Sequence, residues 1–319
     1  MMTLYNRRNF LKTLAGIGLV LSADHSGFAG SSGSVVTTIN TAGVNRPTDF
    51  DYYMVDMRES EYANCFIGTG KEGNSLALTM LNDWLIPTRK RKYPLAAEKY
   101  PQLINDSVLN LSVRPDDIER AFPKINDIGL LIIYGKLNDP AFVSLRQMVL
   151  SWFPSYLWTI AETPKRVDYK NIGFSPVDFE TVTILDSSNN YNDLLSLLRL
   201  LYNISNENDL IAVDFQDVRS LFAGKFAKVF SHTTPYPYYY KGFNLFIKHH
   251  DAALRKADRV FFDVFADKSI SLYDYNEMLS MVQNRLTDDA KMVISLFINH
   301  GFEGYMNNGL NLTLILPAV

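Results

Sequence analysis

The sequence predicts an α/β protein, because short apolar strands alternate with helical segments along most of its length. The chain has 319 residues, of which 47% are hydrophobic, and this is enough for two packed α/β domains with a real core. The glycine spacing Gly68-x-Gly70-x-x-Gly73 directly follows an apolar run, as in a strand–turn–helix unit. The leucine-rich segment 192–202 has helical periodicity and is the strongest predicted helix.

The elements are predicted in order from a first α/β unit that begins near Tyr52. This unit consists of a short strand at 65–67, a phosphate-type turn at 68–73 and a helix at 75–84. Later apolar runs predict buried strands at 129–134, 157–160 and 179–185. Between 87 and 126 the pattern is weak and is broken by prolines. The alternation of strand and helix therefore continues on both sides of a poorly patterned stretch.

A pair of carboxylates follows the leucine-rich helix in the segment Ala212-Val213-Asp214-Phe215-Gln216-Asp217-Val218. Asp214 and Asp217 are three residues apart, and at that spacing both can point from the start of the next helix toward one site. Acids in such a position can act on something outside the protein's own core.

This acidic segment resembles a loop of the FtsZ family, the bacterial homologues of tubulin, whose usual form is Asn-Val-Asp-Phe-Ala-Asp-Val. The segment 66–75 is similar to the first phosphate loop of the same family, Ile-Gly-Val-Gly-Gly-Gly-Gly-Asn-Ala. Segment 254–265 resembles the first strand of the family's C-terminal domain, and 271–277 resembles the helix start that follows it. Two further predicted strands, at 292–299 and 310–316, come in the order that the family requires.

The resemblance implies an FtsZ/tubulin-like fold with a Rossmann-like N-terminal domain, a central helix and a smaller α/β C-terminal domain. In FtsZ the acidic loop completes the GTPase site of the neighbouring subunit, so the resemblance assigns Asp214 and Asp217 a catalytic origin, here vestigial. It also implies a degenerate nucleotide-binding set, which consists of Gly68, Gly70, Gly73, Asn74, Gly135 and Asn192.

The glycine-rich phosphate signature of the family is missing from this chain. FtsZ and tubulin carry Gly-Gly-Gly-Thr-Gly-Thr-Gly after an apolar strand, whereas this chain has Gly135-Lys136-Leu137-Asn138-Asp139-Pro140. A single glycine cannot form the cradle of N–H groups that holds phosphates, since β-carbons prevent the close approach. Pro140 donates no N–H, and Asp139 would place a carboxylate beside phosphate. We therefore expect weak or no GTP binding.

Base recognition is also altered. Asn192 stands where the family has an Asp that holds the guanine base, and Asn carries no charge. The neighbouring Asp193 is about 100° round the helix from the required face.

The N-terminal segment Asn6-Arg7-Arg8-Asn9-Phe10-Leu11-Lys12 resembles a twin-arginine export signal. The moderately apolar run 13–23 and the small residues Gly27 and Ala29 complete the usual anatomy of a signal peptide. The alternative is a disordered or amphipathic N-terminus in a cytoplasmic protein. The predicted organisation is a signal peptide at 1–29, a linker at 30–50, a degenerate nucleotide-binding domain at 51–190, the central helix and acidic loop at 191–213, and a C-terminal domain at 214–319.

Composition limits other functions. The net charge of −3 suggests no nucleic-acid-binding surface, and the basic run 89–92 is a solvated loop or a contact for an anionic partner. The single cysteine, Cys65, excludes an internal disulfide and is expected in the core. Five histidines show no metal-binding spacing and are expected at the surface, and no serine elbow is present. A dinucleotide fold is disfavoured because Lys90 stands where an acid is expected.

An aromatic segment, Pro235-Tyr236-Pro237-Tyr238-Tyr239-Tyr240, stands where the FtsZ family has small residues. Tyrosines give broad amphipathic contact area at low entropic cost, so Tyr236, Tyr238, Tyr239 and Tyr240 are a candidate partner surface. The alternative is a loop that packs on its own domain.

These observations favour an exported, periplasmic FtsZ/tubulin-like pseudo-GTPase without a cofactor, which acts as a structural or protein-interaction component. Its expected partners are the twin-arginine translocase and another protein or a second copy stacked head to tail. In such a stack Asp214 and Asp217 would pair with Lys71 and Lys136 of the next copy. No nucleic acid, metal ion or membrane-spanning segment is expected after removal of the signal. The alternative is a divergent cytoplasmic GTPase that binds GTP and polymerises head to tail.

Overall fold

The computed structural model describes residues 52–56, 63–80, 84, 128–152, 156–163, 172, 174–186, 191–204, 213, 215–235, 238–266, 270–298 and 309–318. Within these ranges the strands are β1 Tyr52–Asp56, β2 Ala63–Thr69, β3 Ile128–Lys136, β4 Leu157–Thr163, β5 Glu180–Asp186, β6 Lys225–Pro235, β7 Arg259–Ala266, β8 Lys291–Ile298 and β9 Gly309–Pro317. The helices are α1 Gly70–Thr79, α2 Pro140–Trp152, α3 Tyr191–Ile204, α4 Phe215–Phe222, α5 Tyr239–Leu254 and α6 Leu272–Gln283. The predicted α/β class is confirmed.

All of these strands belong to one mixed sheet with the order β1-β2-β3-β4-β5-β6-β9-β7-β8. Strands β2 to β6 are parallel to one another, while β1 and β9 are antiparallel to their neighbours. The parallel pairing of β5 with β6 is short, at residues 181–183 and 225–227, and it joins the N-terminal strands to the C-terminal ones. The sheet is therefore continuous between the two predicted domains, whose boundaries stay a prediction.

Both faces of the sheet are covered, because neighbouring apolar residues along a strand point to opposite sides. In β3, Leu130 and Ile132 belong to the core under α1, α3 and α4, whereas Leu131 and Ile133 belong to the core under α2. Cys65 is buried on the α2 side, as expected. Around β7 and β9 the outer core is built by α5 and α6.

Helix α3 is the centre of the fold. Every residue from Leu194 to Ile204 is buried, so this helix has no solvent-facing side over that length. Its core includes Trp158 of β4 together with Phe261 of β7 and Ile315 of β9. The predicted helix at 192–202 is confirmed, and its core joins strands on both sides of the β5–β6 pairing.

Strand β6 was not predicted. The resemblance placed the first C-terminal strand at 254–265, but α5 ends at Leu254 and β7 begins at Arg259. Strand β6 precedes both and pairs with β9 over residues 227–235. Its side chains are mostly partly exposed, so it lacks the continuous apolar run that identifies a buried strand.

A buried ion pair joins α2 to β5. Arg146 donates from Nε to Glu180 Oε1 at 2.8 Å and from Nη2 to Glu180 Oε2 at 2.6 Å. Thr159 Oγ1 donates to the same carboxylate at 2.5 Å, and the Glu180 side chain has no solvent exposure. The Arg146 guanidinium also lies 4.1 Å from the centre of the Phe174 ring. The pair fixes α2 against the sheet.

We expect Arg146→Met to destabilise the protein by about 3–5 kcal/mol, because it leaves the Glu180 carboxylate buried without its cation. Urea unfolding of the purified chain measures this loss. The double variant Arg146→Met with Glu180→Met should recover most of it, since neither charge then remains buried. Arg255→Met, which removes the exposed partner of Asp251, is the matched control and should leave the unfolding midpoint unchanged. Equal midpoints for Arg146→Met and the control would contradict the expectation.

Candidate functional site

The candidate site lies at the edge of the sheet where the parallel strands β2, β3 and β4 reach their carboxyl ends. Ligands of open parallel α/β sheets bind at this edge, next to the helices that follow the strands. Helix α1 begins directly after β2, and α2 begins at Pro140, shortly after β3 ends at Lys136. The predicted glycines of both loops lie here.

The first loop is shorter than predicted. Strand β2 continues to Thr69 and α1 starts at Gly70, so the turn expected at 68–73 and the helix start expected at Ser75 are wrong. Gly68 and Gly73 touch: a β-carbon on Gly68 would lie 2.7 Å from Gly73 Cα. The chain crosses from strand to helix at Gly70, whose φ of +70° suits glycine. Contact between strand and helix therefore accounts for Gly68 and Gly73.

The N-terminus of α1 already holds an anion. Glu72 lies in its first turn, where its own backbone N–H helps to lower the pKa of its carboxyl group. Lys136 Nζ at the end of β3 donates to Glu72 Oε1 at 2.8 Å. This bond is the largest cause that lowers the pKa of Glu72, with the backbone bond next. Asn74, the fourth residue of the predicted set here, is partly buried in the same helix.

The N-terminus of α2 is closed in a similar way. Asp139 Oδ1 accepts a hydrogen bond from the backbone N–H of Ala141 at 2.9 Å, and Pro140 at the first helical position has no N–H to offer. Gly135 is required for packing, since a β-carbon there would lie 2.6 Å from the Phe142 ring and would overlap the Thr69 hydroxyl. Each of the two helix starts at this edge therefore has a carboxylate of the chain itself beside its first turn.

A third acid at this edge was not anticipated. Glu162, near the end of β4, accepts a hydrogen bond from the phenol of Tyr134 on β3. Burial raises the pKa of Glu162, and burial is also the main cause that raises the pKa of Tyr134. The only signal for Glu162 in the sequence is its position at the end of an apolar strand.

The predicted base contact also changes. Asn192 is exposed in the first turn of α3. Its neighbour Asp193 points elsewhere: its Oδ1 accepts from the backbone N–H of Ser231 in β6 at 2.6 Å. Burial raises the pKa of Asp193. Asp193 therefore ties α3 to β6, while the uncharged Asn192 and its neighbour Tyr191 are exposed at the helix start.

Of the two acids in the FtsZ-like loop, the structure describes only Asp217. It is exposed in the first turn of α4, while Val218, Leu221 and Phe222 of the same helix are buried. Asp214 lies outside the described residues, so its position relative to Asp217 stays a prediction. Lys136, one of the expected partners of these acids in a second copy, is paired with Glu72 in its own chain.

The aromatic segment contributes to a separate surface at the starts of α5 and α6. Tyr238 is exposed, whereas Tyr239 and Tyr240 are half-buried with their ring centres 4.9 Å apart. Leu272 and Tyr273 of α6 are exposed as well. We call Tyr238, Tyr239, Tyr240, Leu272 and Tyr273 the tyrosine face. Tyr236 lies outside the described residues.

Other predicted features have mixed outcomes. The export residues Arg7, Arg8, Phe10, Leu11 and Lys12 lie outside the described part of the chain. The expectation of surface histidines is wrong for His250, which is half-buried with its ring centre 4.2 Å from that of Phe230. Burial is the main cause that lowers the pKa of His250 to about 4.

The described residues show no sign of a metal centre or of a membrane-spanning helix. They contain no group of three or more His, Cys, Asp or Glu side chains arranged to hold a metal ion. No helix within the same ranges is both long and apolar enough to cross a membrane.

No protein-family model matches this chain. No curated protein sequence matches it either. Among solved structures it is similar to FtsZ of M. jannaschii, as a mutant with one tryptophan replaced by tyrosine, with 15% identity and a TM-score of 0.49, over 64% of this chain and 69% of that one. It is also similar to an empty FtsZ dimer of M. jannaschii, with 12% identity and a TM-score of 0.47, over 64% and 66% of the chains. TubZ of Bacillus thuringiensis serovar israelensis, as GDP-form protofilaments, gives 12% identity and a TM-score of 0.44, over 64% of each chain. Membership of the FtsZ/tubulin family is a proposal, which rests on the sequence motifs and not on these similarities.

Proposed function

We propose that this chain is an exported FtsZ/tubulin-like pseudo-GTPase that acts as a structural or protein-interaction component. The observation that carries the proposal is that Glu72 and Asp139 occupy the starts of the two helices at the carboxyl edge of the sheet. In a phosphate-binding protein of this architecture these helix starts present unpaired N–H groups to the ligand. Here the chain's own carboxylates take that place.

Electrostatic repulsion by these carboxylates also opposes phosphate binding at this edge. A phosphate oxygen about 4 Å from a carboxylate is repelled by roughly 4 kcal/mol at the effective dielectric constant of a protein surface. Two lysines can supply counter-charge at this edge, exposed Lys71 in the first turn of α1 and Lys136, but Lys136 Nζ is 2.8 Å from Glu72 Oε1. A triphosphate would therefore have to break an existing ion pair before Lys136 could bind it.

The glycines at this edge are not evidence for a phosphate site. Gly68, Gly73 and Gly135 each lie where a β-carbon would collide with neighbouring atoms. Their presence follows from close packing and does not require a nucleotide. The resemblance at 66–75 is therefore compatible with a chain that keeps the fold of a nucleotide-binding domain without its ligand.

Export is the second half of the proposal, and it is supported by the motif from Asn6 to Lys12. Twin-arginine export moves folded proteins, so the fold would form in the cytoplasm and act in the periplasm. GTP is not available there. A degenerate phosphate site and an export signal thus agree with each other.

The alternative function is a divergent cytoplasmic GTPase that polymerises head to tail. One observation favours it: Asp217 is exposed in the first turn of α4, where it could reach a neighbouring copy. In that case Asp214 and Asp217 would polarise the attacking water on the next subunit's nucleotide. Sedimentation that depends on GTP, and that is lost in Asp214→Ala with Asp217→Ala, would establish this alternative.

We expect the purified chain to bind GTP with a Kd of about 1 mM or weaker. Each missing charge-assisted hydrogen bond from a backbone N–H to phosphate costs about 1.5–3 kcal/mol, and losing three removes a micromolar site. Isothermal titration calorimetry with GTP and Mg²⁺ measures this affinity.

The double variant Glu72→Gln with Asp139→Asn serves as the comparison for that titration. Removing both charges should strengthen GTP binding at least about thirtyfold if the carboxylates repel phosphate, because each like charge costs about 1 kcal/mol at 4 Å even in water and about 1.4 kcal/mol is a factor of ten in affinity. Micromolar affinity in the unmodified chain would refute the pseudo-GTPase proposal and favour the GTPase alternative.

We expect Arg7→Lys with Arg8→Lys to stop export, because the twin-arginine receptor reads the guanidinium pair and not charge alone. Cell fractionation followed by immunoblotting shows where the protein accumulates. Arg89→Lys with Arg91→Lys makes the same chemical change in the other basic run and should leave export intact. Unmodified protein found wholly in the cytoplasm would rule out the periplasmic assignment.

A further inference from the structure

The tyrosine face holds the two most exposed large apolar side chains among the described residues, and Leu272 lies beside one of them in α6. Tyr273 is 70% exposed, Tyr238 is 64% exposed and Leu272 is 57% exposed. Single exposed apolar residues are ordinary, but a group of them joined to polar side chains marks a binding surface. Here the starts of α5 and α6 bring the group together.

Two carboxylates are held within this face by tyrosine hydroxyls. Tyr240 Oη lies 2.6 Å from Glu277 Oε2 and 3.0 Å from Asp274 Oδ1. Tyr273 Oη donates to Glu277 Oε1 at 3.0 Å. Hydrogen bonds to these acids contribute to a raised pKa of both phenols, with burial the largest cause for Tyr240 and the bond to Glu277 the largest for Tyr273. The phenols therefore stay neutral donors at physiological pH.

The net charge of this face is negative, because the carboxylates of Asp274 and Glu277 outnumber the ammonium group of Lys241, which is exposed next to Tyr240 in α5. Helix α6 contains Asp274 and Glu277 and no basic residue. Asp274 closes a capping box with Ser271. The hydrogen bond that the Ser271 hydroxyl donates to the Asp274 carboxylate is the largest cause that lowers the pKa of Asp274. Arg285, after the end of α6, is directed to Asp251 of α5. A ligand of this face therefore has to be cationic or apolar, and not acidic.

We propose that the tyrosine face binds a segment of another protein in which arginine alternates with aliphatic residues. The arginine guanidinium would stack on the ring of Tyr273 and donate hydrogen bonds to the remaining lone pairs of Glu277. The aliphatic side chains would cover Leu272 and Tyr238. Arginine suits this site better than lysine, since its planar group stacks on a ring and bonds a carboxylate at the same time.

The hydrogen bonds within the face favour such binding. Glu277 accepts from two different tyrosines, so its carboxylate is fixed before a ligand arrives. A fixed acceptor loses less side-chain entropy on association than a mobile one. This inference deepens the proposed interaction role and rests on it, while naming the chemistry of the partner.

The test uses the purified full-length chain and a fluorescein-labelled peptide of the sequence Ala-Leu-Arg-Ala-Leu-Arg-Ala. Fluorescence anisotropy should show binding in the micromolar range, which weakens when the arginines are replaced by lysine and disappears when they are replaced by glutamate. Glu277→Gln and Tyr273→Ala should each weaken binding at least fivefold. Tyr273→Phe keeps the ring and should retain most of the affinity.

Asp288→Asn with Asp289→Asn is the matched control, because it removes two exposed charges just beyond α6 without touching the face. It should leave the affinity within twofold. An equal loss in this control would show general attraction of charge and overturn the proposal, as would the absence of binding to the unmodified chain. Self-association in sedimentation that Glu277→Gln abolishes would make a second copy the occupant, which also overturns it.

Thermal unfolding of each variant, followed by circular dichroism, shows whether a loss of affinity comes from a loss of folding. Glu277→Gln changes an exposed side chain and should leave the protein folded. The GTP titration on the same preparation tests the proposed function independently of peptide binding. No peptide binding together with no GTP binding removes this inference and leaves the proposed function standing. Peptide binding together with micromolar GTP binding supports the tyrosine face and refutes the pseudo-GTPase.

Discussion

The parallel pairing of β5 with β6 is the contact on which the rest of the structure depends. It spans only three residue pairs, yet it joins the strands from β1 to β5 to the C-terminal strands in one sheet. So short a ladder needs support from packing, and α3 supplies it because its buried residues pack on strands of both halves. Hydrogen bonds also attach α3 to the C-terminal strands. Asp193 accepts from the backbone N–H of Ser231 in β6, and Arg199 Nη2 donates to Asn311 Oδ1 of β9 at 2.6 Å.

This arrangement fixes the edge at which the parallel strands end, and with it the chemistry that the edge can support. Glu72, Asp139 and Glu162 come from three different parts of the chain, and Lys136 is drawn into a pair with the first of them. Among the described residues this edge therefore carries more carboxylates than ammonium groups, even with exposed Lys71 counted. The tyrosine face, in contrast, lies on α5 and α6, where exposed rings and ordered carboxylates offer contact to a basic partner.

The sequence predicted the buried parts of the fold well and the polar contacts poorly. Strands β3, β4 and β5 and helix α3 were located because continuous apolar runs and leucine periodicity record burial directly. Strand β6 was missed because it is only partly buried and ends in a proline. The pair of Glu72 with Lys136 could not be predicted, since the two residues are 64 positions apart and meet only when β2 and β3 lie side by side. Local motifs identified the two loops, but tertiary structure determines which charged side chains meet there.

The contact between Gly68 and Gly73 changes what a glycine motif says about ancestry. Strand β2 and helix α1 approach so closely there that neither residue can carry a side chain without moving the backbone. Selection for folding alone would keep both glycines long after any ligand had ceased to matter. Glycine spacing of this kind therefore records how closely a strand meets a helix, and by itself it says nothing about whether a phosphate binds.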